Sequence, residues 1–154
     1  MVFPGKAFDE LVIGEEFGHR QTVTEFHLIQ GAGLIGDFNP LHVDEIYARK
    51  TRFGGRILHG AITASMMSAA IGLYFSGTAA AMLEQNNRYK AAVMAGDTLD
   101  TVWTVNGLLA KPKAKGGIIE VSAVCTNQVG ELVAESDGKV LLMDRAEADR
   151  LAGV

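Results

Sequence analysis

From Gly60 to about Phe75 nearly every position is apolar or small, running through Ala61-Ile62-Thr63-Ala64-Ser65-Met66-Met67-Ser68 to Ile71-Gly72-Leu73-Tyr74. The segment is long for a strand, and a helix apolar all round should be buried. It is too short and too rich in Ser and Thr for a membrane span. Upstream, residues 16–23 alternate like a first strand, and Thr24 can cap a helix that carries Phe26 and Ile29 on one side. Asp44 can cap a further helical turn over 45–50. The second half alternates like strands over about 85–94, 98–110, 117–128 and 131–143. Its breaks fall at 95–97, 111–117 and 129–131, where Gly, Pro, Asp and Lys gather. Strands in succession without helices between them predict an antiparallel sheet. The expectation is α+β, one buried helix followed by a sheet, as a single domain over residues 1–154. Gly77 to Leu83 reads as a flexible, small-residue stretch after the helix.

Eighteen glycines invite a search for a nucleotide fingerprint. Gly31-Ala32-Gly33-Leu34-Ile35-Gly36 matches G-x-G-x-x-G, but that motif needs a strand before it and a helix starting at it. Here the glycines fall at the end of a helix, where they permit close packing. Hydrophobic residues make up 48% and charged residues 21% of the 154, which excludes a disordered chain. A net charge of −4 argues against a general nucleic-acid binder. Met1-Val2-Phe3-Pro4-Gly5-Lys6 has no secretory h-region. No membrane association and a cytoplasmic location are the default expectations. The one cysteine, Cys125, lies in an alternating run and reads as a buried strand residue. The four histidines lack metal-ligand spacing and a single thiol cannot build a zinc site, so no metal is expected.

Chemistry gathers in Asp37-Phe38-Asn39-Pro40-Leu41-His42, followed by Gly54-Gly55-Arg56-Ile57-Leu58-His59-Gly60. Pro40 pushes Asn39 out of the α region. A helix reaching Asp37 should stop there and the chain should turn, which can bring Asp37 and His42 to one side of a pocket. An imidazole and a carboxylate so placed can activate a water, and Gly60 can supply an exposed N–H. The same residues could instead build an Asx turn beside a half-buried histidine. His59 could line the site or pack beside the helix start. Ser65 and Ser68 could be polar site groups or small residues that let the sheet approach.

The elements Asp37-Phe38-Asn39-Pro40-Leu41-His42-Val43-Asp44 and Phe53-Gly54-Gly55-Arg56-Ile57-Leu58-His59-Gly60, with the small-residue helix after them, resemble the MaoC-like hydratases, the (R)-specific enoyl-CoA hydratases. The resemblance runs from the Thr24 region onward and is strongest over residues 33–70. It implies a hot-dog fold, an antiparallel sheet wrapped around a long central helix, in a homodimer or a multiple of it. It implies that Asp37 and His42 form the dyad that adds water to a trans-2-enoyl thioester. Gly60 would offer its N–H to the thioester oxygen, with Asn39 supporting the dyad and Ser68 counted with the site; His59 is a further supporting candidate on its place beside Gly60 alone. Coenzyme A phosphates would be attracted by a basic patch such as Arg49, Lys50, Arg52 and Arg56, or by Lys111, Lys113 and Lys115. Either cluster could equally be solvated surface. Leu34, Ile62, Met66 and Leu83 are candidates for pocket depth. Beyond the acyl-CoA substrate no cofactor is implied. A hot-dog thioesterase and a non-catalytic thioester-binding protein are the rival readings. The His-Phe-Pro motif of acyl-carrier-protein dehydratases is absent from the chain.

Overall fold

A computed structural model describes residues 5–153. The first four residues of the stretch read for a leader, Met1 to Pro4, lie outside them. Five strands, β1 (Glu16–Thr22), β2 (Ala79–Tyr89), β3 (Thr98–Lys111), β4 (Gly116–Thr126) and β5 (Leu132–Met143), form one sheet in the order β1-β3-β4-β5-β2. Every pairing is antiparallel. Successive positions along β3, β4 and β5 alternate between buried and more open, as a sheet with one face on the core requires. Helices are α1 (Glu25–Ile35), α2 (Pro40–Val43), α3 (Glu45–Ala48), α4 (Gly60–Tyr74) and α5 (Arg145–Ala152).

The expected buried helix is α4. It lays Thr63, Met66, Met67, Ala70 and Ile71 against the sheet. Trp103 of β3 is fully buried and donates its indole N–H to the Met67 carbonyl at 2.9 Å. That bond satisfies the one polar atom of the largest core side chain. Only one face of α4 is covered, however. Ala61, Ser65, Gly72 and Leu73 are exposed, Leu73 at 62%. An all-round apolar helix is thus half open in the single chain.

Three sequence expectations shift. The 77–83 stretch is not a loose connection, because β2 starts at Ala79 and pairs with β5 through two register shifts. Residues 90–94 leave the sheet instead of completing a strand. Lys90 and Ala91 still donate to Val133, and the Val93 carbonyl receives the Leu58 N–H at 2.6 Å. Last, α5 was not anticipated. Asp144 caps it by accepting the Glu147 N–H at 2.8 Å; the Asp144–Glu147 spacing is a capping-box signal that could have revealed it. Among the described residues no helix is long and apolar enough to cross a membrane.

Candidate active site

Helix α1 ends earlier than Pro40 requires. Gly36 takes a left-handed conformation (φ 74°) and its N–H closes on the Ala32 carbonyl. The chain then runs exposed through Asp37 and Phe38. Asn39 stays extended and its Oδ1 accepts the Leu41 N–H at 3.0 Å. With Pro40 at the first helical position, this starts α2, a single turn that carries His42. Asp37 Oδ1 accepts the Asn39 N–H at 3.1 Å. The Asx turn and the acid–imidazole pair are therefore one structure, and the two readings do not compete.

His42 Nδ1 lies 2.7 Å from the Ile57 carbonyl oxygen. A carbonyl can only accept, so Nδ1 carries the proton and Nε2 presents a lone pair. Asp37 Oδ2 stands 3.8 Å from that Nε2. The gap exceeds a direct hydrogen bond and is one that a single water can bridge. His42 is 12% exposed at its side chain and Asp37 51%, so the base is sheltered while the acid stays solvated.

His59 is 2% exposed. Its Nε2–H donates to the Asp37 carbonyl at 2.9 Å. Its ring stacks on His42, with centroids 3.7 Å apart and planes 29° from parallel. Asp37, His42 and His59 bring three ligand-type atoms within 4.8 Å of one another, which sequence spacing did not anticipate. Face-to-face rings send their lone pairs along near-parallel planes rather than toward a common point. His59 Nε2 is also engaged as a donor. This arrangement suits proton transfer better than a coordination sphere.

Ile57 joins the pair to a cleft of ≈300 Å³ lined also by Arg52, Phe53, Gly60, Thr63 and Tyr89. Gly60 opens α4, and among the described residues no acceptor takes its N–H. A helix N-terminus favours developing negative charge. The Tyr89 ring packs so close over Gly60 that a Cβ there would meet Cζ at 3.1 Å. Tyr89 was missed from sequence because nothing local marks a residue that a distant strand delivers; Thr63 and the Ile57 carbonyl were missed because neither a helical Thr nor a main-chain oxygen carries a sequence signal.

The other candidates lie as follows. Ser68 is eight residues beyond Gly60, which is ~12 Å along a helix. It donates to the Ala64 carbonyl and to Gln85 Oε1, and it lines a separate cavity of ≈360 Å³. Leu34, Ile62 and Met66 line another apolar cavity of ≈300 Å³ between α1 and α4; Leu83 is 50% exposed on β2. Arg56 binds Glu25 at 2.8 Å and Glu45 at 3.1 Å, and Arg49 binds Glu45 at 2.7 Å. Arg52 instead lies over the Phe53 ring at the cleft wall. Among the described residues Lys50 makes no ion pair, and Lys115 binds Glu147 at 2.9 Å. Cys125 is fully buried and burial pushes its thiol up, as befits an inert core residue.

Comparison with known proteins identifies the family and the fold. Residues 10–127 match the MaoC like domain family. The chain is 33% identical over 138 residues to an (R)-specific enoyl-CoA hydratase of Rhodospirillum rubrum, covering 90% of this chain and 92% of that protein. It is 30% identical over 146 residues to a 3-hydroxybutyryl-CoA dehydratase of Methylorubrum extorquens, covering 94% and 89%. The unliganded R-hydratase PhaJ1 of Pseudomonas aeruginosa superposes with a TM-score of 0.80 at 28% identity, covering 90% and 86%. With its α+β hot-dog fold, the chain belongs to the MaoC-like dehydratase family of hydro-lyases.

Proposed function

We propose that the protein reversibly hydrates a trans-2-enoyl-CoA to the (3R)-3-hydroxyacyl-CoA. The observation that carries this reading is the contact between His42 Nδ1 and the Ile57 carbonyl, from which the tautomer follows. The His42 Nδ1–H is committed to that carbonyl, which leaves Nε2 as a base beside the Asp37 carboxylate. A water held between them gives its proton to Nε2 as its oxygen bonds to C3. The C2–C3 π electrons move toward the thioester, whose oxygen gains charge at the Gly60 N–H. His42 then returns the proton to C2, so H and OH have added across the double bond. Asn39 holds the turn between acid and base. The steps move only protons and water, so no metal or redox cofactor is called for.

Of Arg49, Lys50, Arg52 and Arg56, Arg52 is the one that lines the cleft and so the best placed to meet a coenzyme A phosphate; Lys90 also lines it but pairs with Glu135 at 3.0 Å. Arg49 and Arg56 are engaged by carboxylates and are weaker candidates. A homodimer acting in the cytoplasm completes the reading. The test is to incubate purified protein with crotonyl-CoA, follow loss of enoyl absorbance and resolve the product enantiomers. A predominantly 3R alcohol is expected. A predominantly S product overturns the assignment, a racemate overturns addition from one water on one face, and free thiol release without hydration would favour a thioesterase.

A further inference from the structure

His59 carries a cost that packing alone does not explain. Its Nδ1 is buried and, among the described residues, has no hydrogen-bond partner. Phe or Leu would fill the space beside Gly31 and Ile62 without burying an unpaired ring nitrogen. The ring is nevertheless tied into the dyad twice. Its Nε2–H holds the Asp37 carbonyl at 2.9 Å, and its face lies against the His42 ring at 3.7 Å. Asp37 needs such a tie, since it sits on an exposed segment just after the left-handed turn at Gly36. His59 is also the N-cap of α4, so the next residue presents the free N–H of Gly60.

We propose that His59 is a positioning residue that registers acid, base and oxyanion donor on one another. It does so as a neutral ring protonated on Nε2. The edge of the ring fixes the main chain of Asp37, its face fixes the rotamer of His42, and its backbone fixes where Gly60 begins the helix. None of these roles requires contact with substrate. Small misplacement of a reacting group is costly, so the loss on removing the ring falls on turnover rather than binding.

This inference rests on the hydratase reading, and its test separates the two. His59→Phe keeps a ring face and loses the donor, whereas His59→Gln keeps a donor and loses the face. Each should lower kcat for crotonyl-CoA by ~10–100-fold, with KM within about threefold and with the folded far-UV signal retained. In a His42→Ala background, His59→Gln should lower the residual rate by less than about threefold, because Gln loses only the ring face and the imidazole that face held is gone. Nitrogen-15 NMR of histidine-labelled wild-type protein at alkaline pH should show His42 protonated on Nδ1 and His59 on Nε2. Wild-type kcat in both single variants, a full additive loss in the His42→Ala background, or His59 protonated on Nδ1 overturns the proposal. Should His59→Phe fail to fold, His59→Gln and the tautomer decide it. A wild-type protein without hydration would count against the reaction, and the tautomer alone would then decide the clamp.

Discussion

At the scale of single residues, the site depends on donors and acceptors that cannot exchange roles. The Ile57 carbonyl accepts from His42, the Asp37 carbonyl accepts from His59, and the Asp37 carboxylate accepts from the Asn39 N–H. The first and the third leave His42 Nε2 and Asp37 Oδ2 facing each other where a water would be met. Asp37→Asn and His42→Ala should each lower hydration by ~10²–10⁴-fold, the usual worth of a positioned acid–base group. Steady-state kinetics check this, and near-wild-type turnover in either variant removes that residue from the mechanism. Gly60→Ala should lower kcat as well, because its Cβ at 3.1 Å from Tyr89 pushes ring and helix start apart. The closeness of Asp37 and His42 was legible in the sequence because acid, proline turn and imidazole are neighbours along the chain. The stacking of His59 on His42 and the packing of Tyr89 over Gly60 were not, since these contacts form only through folding.

At the scale of elements, the close approach of α1 to α4 sets the back of the site. Gly31 makes it possible. A Cβ there would lie 2.9 Å from Ile62 Cγ1 and 3.3 Å from His59 Nδ1. Gly31→Ala should therefore destabilise the fold by about 1–3 kcal/mol, the usual cost of overpacking, although alanine is the better helix former. Denaturant titration reads the stability, and an accompanying fall in kcat would report displacement of His59. A stability gain would show that α1 shifts freely. The glycines of the G-x-G-x-x-G pattern do fall at the end of a helix, but only Gly31 packs closely, against a partner the sequence hid, while Gly33 faces open space and Gly36 ends the helix. Strand boundaries drifted most at β2, where two register shifts blur the alternation that a sequence reading relies on.

At the scale of the whole molecule, two features have testable consequences. The first is a pair of carboxylates that clasp the C-terminal helix. Hydrogen bonds from Arg145 hold Glu10 down at about 2, and those from Arg150 and Lys115 hold Glu147 down at about 2. Unfolded, both return to ~4.3. The unfolded chain therefore binds more protons between these values, and stability falls as pH drops through that window. Thermal midpoints measured from pH ~5 to ~2 should decline, and Arg145→Met should flatten part of that decline. An unchanged slope would remove the Glu10 pair as a contributor. The second feature is the uncovered face of α4 with Leu73, together with β2 as a sheet edge carrying Met82 and Leu83, 41% and 50% exposed. A second copy that covers both would relieve the open edge and the apolar face. Light scattering should report a dimer or a multiple of it at micromolar concentration; a stable monomer would overturn this.

Local chemistry determined much from sequence alone. Asp44 caps its turn where expected, the chain turns at Asn39-Pro40, and the long apolar segment is the central helix. The alternating runs pair antiparallel, within a few residues of their expected ends. Each of these follows from groups within a few positions of one another, where propensity and hydrogen bonding act without help from distant chain. The tertiary structure alone decided that His59 lies against His42, that Tyr89 covers Gly60, and that Arg52 reaches the cleft while Arg56 is held by Glu25 and Glu45. It also decided that one face of α4 stays open. Those outcomes depend on sheet order and helix approach, which are settled by packing across the whole core and leave no periodic trace in the chain.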